Sequence, residues 1–195
     1  MGAPLTPPCV EDGPTKTDGA AASIIPTCAA YTLPAGFLRP RQNLRLRMYG
    51  ALTQAVTTPG TQRFQVVIGG VVVWDSGIIA LNTIIARTSL PWFLAVDFTV
   101  RAVGTGTSTT LLGVGTFKYG GLLGGNDVAA AAQAVIQVPV NAAPAVGAGF
   151  NSLSPNLSVD VWHMQTENTG SIVVNSYSLE DLGMPLVPAV ADPRL

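Results

Sequence analysis

The sequence predicts an all-β fold, an antiparallel β-sandwich of jelly-roll-like type, on three observations. Apolar residues recur at every second position along most of the chain, turn residues fall between these runs, and the amphipathic helical stretches that an α/β enzyme places between its strands are missing. A chain of 195 residues has room for one such domain with a real core. Its expected limits are residues 23–183, with an extended arm over 1–22 and a tail over 184–195.

The arm carries Pro4, Pro7, Pro8 and Pro14 among Glu11, Asp12 and Asp18. Prolines remove backbone donors and rule out a helix, and fixing each residue costs about 1–2 kcal/mol of backbone entropy. Too few large apolar side chains are present to offset that alone. The arm is therefore expected to order only against a neighbouring subunit or a particle surface, with Leu5 and the prolines in pockets of the partner. The tail, with Pro185, Pro188 and Pro193, has the same character.

The first long strand alternates Leu44, Leu46, Met48, Gly50 and Leu52 with Arg45, Arg47, Tyr49 and Ala51, and ends at the Pro59-Gly60 turn. Phe64, Val66 and Ile68 form the next inward row, and Gly69-Gly70 turns it into a hairpin with residues 71–74. A short strand over 78–81 follows the Asp75-Ser76-Gly77 turn. Trp92, Leu94, Val96, Phe98, Val100 and Ala102 mark the longest strand, which the Gly104-Thr105-Gly106 loop returns to residues 111–119. There Gly113 and Gly115 thin one face, so that an aromatic ring or another chain can approach closely. Residues 127–137 are alanine-rich behind a capping Asp127 and predict a short helix. Residues 138–150, with Pro139, Pro144, Gly147 and Gly149, predict a loop. Leu157, Val159 and Val161 begin a final hairpin of residues 157–166 and 172–182 around Glu167-Asn168-Thr169-Gly170. The expected inward set is Leu44, Leu46, Met48, Phe64, Val66, Ile68, Leu94, Val96, Phe98, Val159 and Val161.

Ten Lys and Arg against eleven Asp and Glu leave a formal charge of -1, and charged residues make up only 11% of the chain, against about 25% in an average soluble domain. With 48% hydrophobic residues, such a surface is expected to be covered largely by other subunits. Eight of the ten cations are Arg, whose planar fork suits fixed interface pairing better than Lys. The candidate interface residues are Leu5, Arg39, Arg41, Arg45, Arg47 and Tyr49. Near-zero charge supplies no field for a polyanion, so no direct nucleic-acid binding is expected. The longest low-charge stretch, 128–151, is broken by Pro139 and Pro144, so no membrane span is expected. The first 19 residues lack the basic start and apolar run of a signal peptide, which points to a product made in the cytoplasm and used or packed into a particle there.

Cys9 and Cys28 have no metal-ligand spacing around them; their separation of 19 allows a disulfide, with reduced thiols as the expectation. The single histidine, His163, shares its strand with Asp160, three residues away on the opposite face, so no orienting Asp-His pair can form locally. No Gly-x-Ser-x-Gly elbow and no zinc or EF-hand spacing occurs, and the glycine runs at 113–115 and 120–125 lack the Lys-Ser/Thr of a phosphate loop. The expectation is a chain that is not an enzyme and needs no metal or cofactor. Asp75, Asp97, Asp160, Glu167, Glu180 and Asp181 are expected in turns or as partners of Arg. Trp74, Trp92 and Trp162 form a candidate ligand platform for a sugar, with Tyr49 as a further ring, although their place in or beside alternating strands favours a core role.

Several segments together carry a resemblance: Ser23-Ile24-Ile25-Pro26, Tyr31-Thr32-Leu33-Pro34-Ala35, the Leu44 strand as far as Gly50, Thr58-Pro59-Gly60-Thr61, Asp75-Ser76-Gly77, and Pro91-Trp92-Phe93-Leu94 running on to Arg101-Ala102-Val103-Gly104. Over residues 23–120 the chain resembles a family of small tailed-bacteriophage virion proteins with an "xLPAxFLRxG…LRLxxxG" opening, then "TPGTxxFxVxxGG", then "PWxLxxxxTVRxxG". It departs from that pattern at Pro40-Arg41-Gln42, where the family pattern has glycine. The resemblance implies a virion component such as a capsid decoration, head-fibre or tail accessory protein, with the major capsid protein or tail components as partners. By analogy with jelly-roll particle proteins the expected self-association is a homotrimer. A receptor- or carbohydrate-binding module of a fibre or tail is the alternative.

Overall fold

A computed structural model describes residues 3–5, 9–55, 60–81, 86–124, 133–140 and 147–184. Twelve strands run through it: β1 Ala3–Pro4, β2 Ala22–Ser23, β3 Tyr31–Leu33, β4 Asn43–Gln54, β5 Thr61–Ile68, β6 Val71–Asp75, β7 Ile79–Leu81, β8 Arg87–Ala102, β9 Thr110–Gly124, β10 Gln133–Val138, β11 Leu157–Gln165 and β12 Ser171–Gly183. The one helical element among the described residues is the 3-10 turn Thr27–Ala29. The fold is an all-β sandwich of two antiparallel sheets.

The larger sheet has the order β1-β12-β4-β8-β9-β10, and the smaller one places β5 between β11 and β6/β7, with β2 and β3 on the far side of β11. Every residue of the expected inward set is buried between them. Phe64 of β5 joins the layers, its ring centroid 5.4 Å from Trp92 and 5.4 Å from Phe117 of the opposite sheet. At one edge the sheets are stitched together by β7, which pairs with β5 through Thr61↔Ala80 and with β9 through Ala80↔Gly124.

The expected β5–β6 hairpin forms, with Gly69 and Gly70 both at positive φ (58° and 81°), as a tight hairpin turn requires. The β8–β9 hairpin forms too, in register Val96↔Gly115 and Phe98↔Gly113. Gly113 is where the sheet is thinned: the Trp74 indole of the smaller sheet lies against it and donates from Nε1 to Gly113 O at 3.1 Å. A Cβ on Gly113 would sit 2.4 Å from Trp74 Cδ1 and 2.7 Å from Phe98 Cε1. Gly113→Ala is therefore expected to cost about 1–3 kcal/mol through overpacking. Urea unfolding of the variant checks this, and an unchanged midpoint would show that the ring has room to move.

Four expectations are corrected. Residues 133–137 belong to a strand, not a helix, because β10 satisfies the free edge of β9 through pairs such as Ile136↔Phe117, and alanine's helix preference is a weak prior beside that ladder. Asp127 and the first half of the expected helix lie outside the described residues, as do Pro59, residues 141–146 of the expected loop and residues 185–195. Second, the final hairpin does not form: β11 pairs with β5 (Val161↔Val66) and β12 with β4 (Leu179↔Leu46), in opposite sheets. Glu167 to Gly170 is an arch between layers, and the end of β11 that leads into it lies beside the start of β5, where Thr61 N donates to Thr166 Oγ1 at 3.0 Å and Thr166 N to Thr61 O at 3.3 Å. The β4–β5 and β12–β11 segments thus fold over as one paired ribbon, the jelly-roll-like element of the sandwich.

Third, the described part of the arm is ordered on its own domain. Leu5 N donates to Leu179 O at 2.7 Å, Gly13 N to Val174 O at 2.7 Å, and Lys16 and Ile172 exchange both backbone bonds. Proline forbids a helix but not an extended edge strand, and β12 offers an edge whose unpaired groups need partners. The segment then reaches β2, which pairs with β11 through Trp162↔Ser23, so it straps the edge opposite β7. Between Leu5 and Gly13 the strap brings Cys9 to the 3-10 turn, where Cys9 and Cys28 form a disulfide with a Cα–Cα distance of 5.5 Å. The expectation of free thiols is corrected accordingly.

Arg41 stands where the resembled pattern has glycine. It takes φ 69°, a left-handed conformation, held by Arg41 N donating to Val100 O at 2.8 Å and Arg39 N to Gln42 Oε1 at 2.9 Å. Those bonds let a non-glycine residue make the turn into β4.

Candidate functional site

Period-two alternation along β11 sends Val159, Val161 and His163 inward and Asp160 and Trp162 outward. The outward pair meets β2. Asp160 Oδ1 accepts from Ser23 Oγ at 2.6 Å and from Val161 N at 2.7 Å, while Oδ2 accepts from Trp162 Nε1 at 2.9 Å. β2 and β3 pair with opposite ends of β11, through Trp162↔Ser23 and Val159↔Tyr31, and the intervening chain, including the 3-10 turn, bows away from the sheet edge. The bow opens a pocket of about 190 Å³. Ser23, Thr27, Thr32, Ser158 and Asp160 give it hydroxyls and one carboxylate, Ile25, Pro26 and Ala30 an apolar wall, and Tyr31 borders it while packing on the core. The disulfide at Cys28 anchors the turn that walls it.

The residues singled out in the sequence lie elsewhere. Trp74 and Trp92 are buried, so the expected platform of three tryptophans is not assembled; Trp162 alone is half-buried at the outer face. Trp92 reaches across β4 above Gly50, whose missing side chain leaves room for the indole to donate to Val173 O at 3.2 Å. Arg45 and Arg47 meet carboxylates of their own sheet rather than those of a neighbour. Arg45 forms a fork on Asp97, with Nε to Oδ1 at 2.6 Å and Nη2 to Oδ2 at 2.9 Å, and Arg47 lies 3.7 Å from Glu180. Asp97 raises the guanidinium pKa of Arg45 through that bond. Leu5 packs against the core, Arg39 and Arg41 are exposed beside the start of β4, and Tyr49 is exposed on the larger sheet with its ring 4.6 Å from Phe93.

His163 is fully buried beside Phe64, their rings 5.2 Å apart, and its Nε2 donates to Gln62 Oε1. Burial pushes its pKa down to about 3, with the Lys16 charge acting in the same direction and Asp18 against it. That leaves a neutral packing side chain at neutral pH, out of reach of a substrate. Among the described residues, no group of three metal-ligating side chains comes together. The pocket itself was not singled out in the sequence, since Ser23, Tyr31 and Asp160 are joined only by a pairing that spans 137 positions. Compared with known proteins, the chain matches no family model, no curated protein and no solved structure.

Proposed function

We propose that the chain is a non-catalytic structural component of a phage particle, a capsid decoration or accessory protein. It assembles as a homo-oligomer, a trimer in the first instance, on the major capsid protein or on tail components. The virion resemblance of residues 23–120 supplies the particle. The observation that carries an assembly role is the outer face of the larger sheet. Across four strands the register sets Tyr49, Phe93, Lys118 and Val135 side by side, with Tyr49 49% exposed, Val135 47% and the nearby Val114 41%. Arg45–Asp97 and Arg47–Glu180 neutralise one another beside this row. The result is an exposed row of aromatic and apolar side chains around the single cation Lys118, which lies over the Phe93 ring, a surface of the kind that partner subunits cover.

The test is direct. Purified particles of the phage that encodes the chain should contain it, and the isolated protein should bind particles that lack it. Tyr49→Glu should weaken that binding at least about tenfold with the melting midpoint retained, since a central aromatic contact is worth more than about 1.4 kcal/mol. Absence from purified particles would reject the virion reading, and undiminished binding of the Tyr49→Glu protein would reject this face as the contact. The receptor- or carbohydrate-binding alternative is favoured by a different observation, the pocket beside Asp160.

A further inference from the structure

We infer that the pocket beside Asp160 binds one neutral hexopyranose ring, presented free or as the terminal unit of a polysaccharide. The inference stands on the pocket alone and does not rest on the particle reading. A volume of about 190 Å³ takes a single sugar ring, whereas sites for drug-sized molecules run to about 300–1,000 Å³. Its chemistry is two-sided: Ile25, Pro26 and Ala30 offer an apolar surface, and hydroxyls and a carboxylate stand around them. A pyranose has the same division, with a C–H face and a rim of hydroxyls.

Asp160 decides which ligands fit. Its carboxylate has about four acceptor positions; Ser23 Oγ, Val161 N and Trp162 Nε1 fill three and fix its orientation. The position left on Oδ2 accepts one ligand hydroxyl. Ser23 spends its hydrogen on Asp160, so toward the pocket its oxygen is an acceptor as well. Two fixed acceptors side by side call for two adjacent donors, which a vicinal diol supplies. Uronic acids, sialic acids and phosphates bring negative charge against the Asp160 carboxylate and are disfavoured. The rotatable hydroxyls of Thr27, Thr32 and Ser158 line the pocket and can serve as donor or acceptor to the remaining sugar oxygens.

The experiment uses the full chain, titrated with glucose, galactose, mannose and N-acetylglucosamine and followed by two-dimensional amide NMR. Glucuronate serves as the charged control. At least one neutral sugar is expected to shift amides of residues 23–32 and 158–162 with a dissociation constant on the order of 1 mM, and glucuronate to bind at least about tenfold more weakly. Asp160→Asn should weaken the preferred sugar at least about tenfold. Ala30→Phe, a change at an exposed position of the pocket wall, should abolish binding while melting as the wild type does. A parallel arm with a polysaccharide ending in the preferred hexose separates the two sources: tighter binding than the free sugar assigns the site to a glycan terminus, and equal binding to the ring alone. No shift in the pocket with any neutral hexose at tens of millimolar, or binding that both variants leave intact, would overturn the inference.

Discussion

Replacing Phe64 by alanine is expected to remove about 3–5 kcal/mol of folding stability. The ring is fully buried, and it belongs to the smaller sheet while two of its ring neighbours, Trp92 and Phe117, belong to the larger one. Its third, His163, is on the adjacent strand, in direct register with it. Truncation therefore opens a cavity at the junction of the layers, where strands held by their own ladders cannot collapse inward to fill it. A domain of this size has a total stability of about 5–15 kcal/mol, so the variant should lose about a fifth or more of it. Guanidinium unfolding at neutral pH measures the change. Phe64→Leu, which keeps most of the volume, should cost less than about half as much. A loss below about 1 kcal/mol for the alanine variant would mean that Phe64 does not bridge the sheets.

The position of Phe64 was legible in the sequence, and so were the faces of β4, β5, β8 and β11. Their side chains alternate with a period of two, and one face of each must be buried; a slip by a single residue would expose the whole apolar row. The close approach at Gly113 was legible for a related reason, since a glycine within an alternating strand marks the place where something else comes near. What could not be read was which strand pairs with which. Glu167 to Gly170 has the residues of a hairpin turn, but the same residues serve an arch, and the choice falls to β4 and β5, more than ninety positions upstream along the chain. Separation along the chain, 52 positions for Arg45 and Asp97 and more for Arg47 and Glu180, likewise hides the partners of the two arginines, because these carboxylates reach them only once β8 and β12 flank β4. The strap was misjudged for an energetic reason. Ordering a proline-rich segment has a cost in entropy, and the sequence does not reveal that the open edge of β12 and the disulfide to Cys28 offset it. The pocket follows from the same pairing, since it exists only where β2 and β3 hold the two ends of β11 and the chain between them bows outward.

The corner where the paired ribbon folds over is also where the core becomes polar, and this gives the protein an acid-sensitive point. Gln62, Gln165, Lys16 and His163 are all buried there. His163 Nε2 donates to Gln62 Oε1, so its proton sits on Nε2, and Nδ1 faces the interior with no partner. Protonation would place a charged N–H where nothing accepts it, with the buried Lys16 ammonium nearby, and the pKa falls from 6.5 to about 3. Below pH 6.5 the unfolded chain takes up a proton that the folded chain refuses, so stability is complete above that pH and declines as the pH falls toward about 3. The expected slope is about 1.4 kcal/mol per pH unit, or about 2–3 kcal/mol between about pH 6.5 and 4.5. Asp18 and Asp75 have pKa values lowered from 3.8, Asp18 chiefly by its bond from Lys16, and for Asp75 the bonds from Arg63, Gln65 and Gly77 outweigh a raising effect of burial. Their contributions are lost only at still lower pH, outside this window. His163→Gln keeps a donor for Gln62 and removes the titration. Urea unfolding of both proteins across the window should show a decline in the wild type that the variant lacks; parallel curves would mean that His163 is not held neutral by burial in the folded protein.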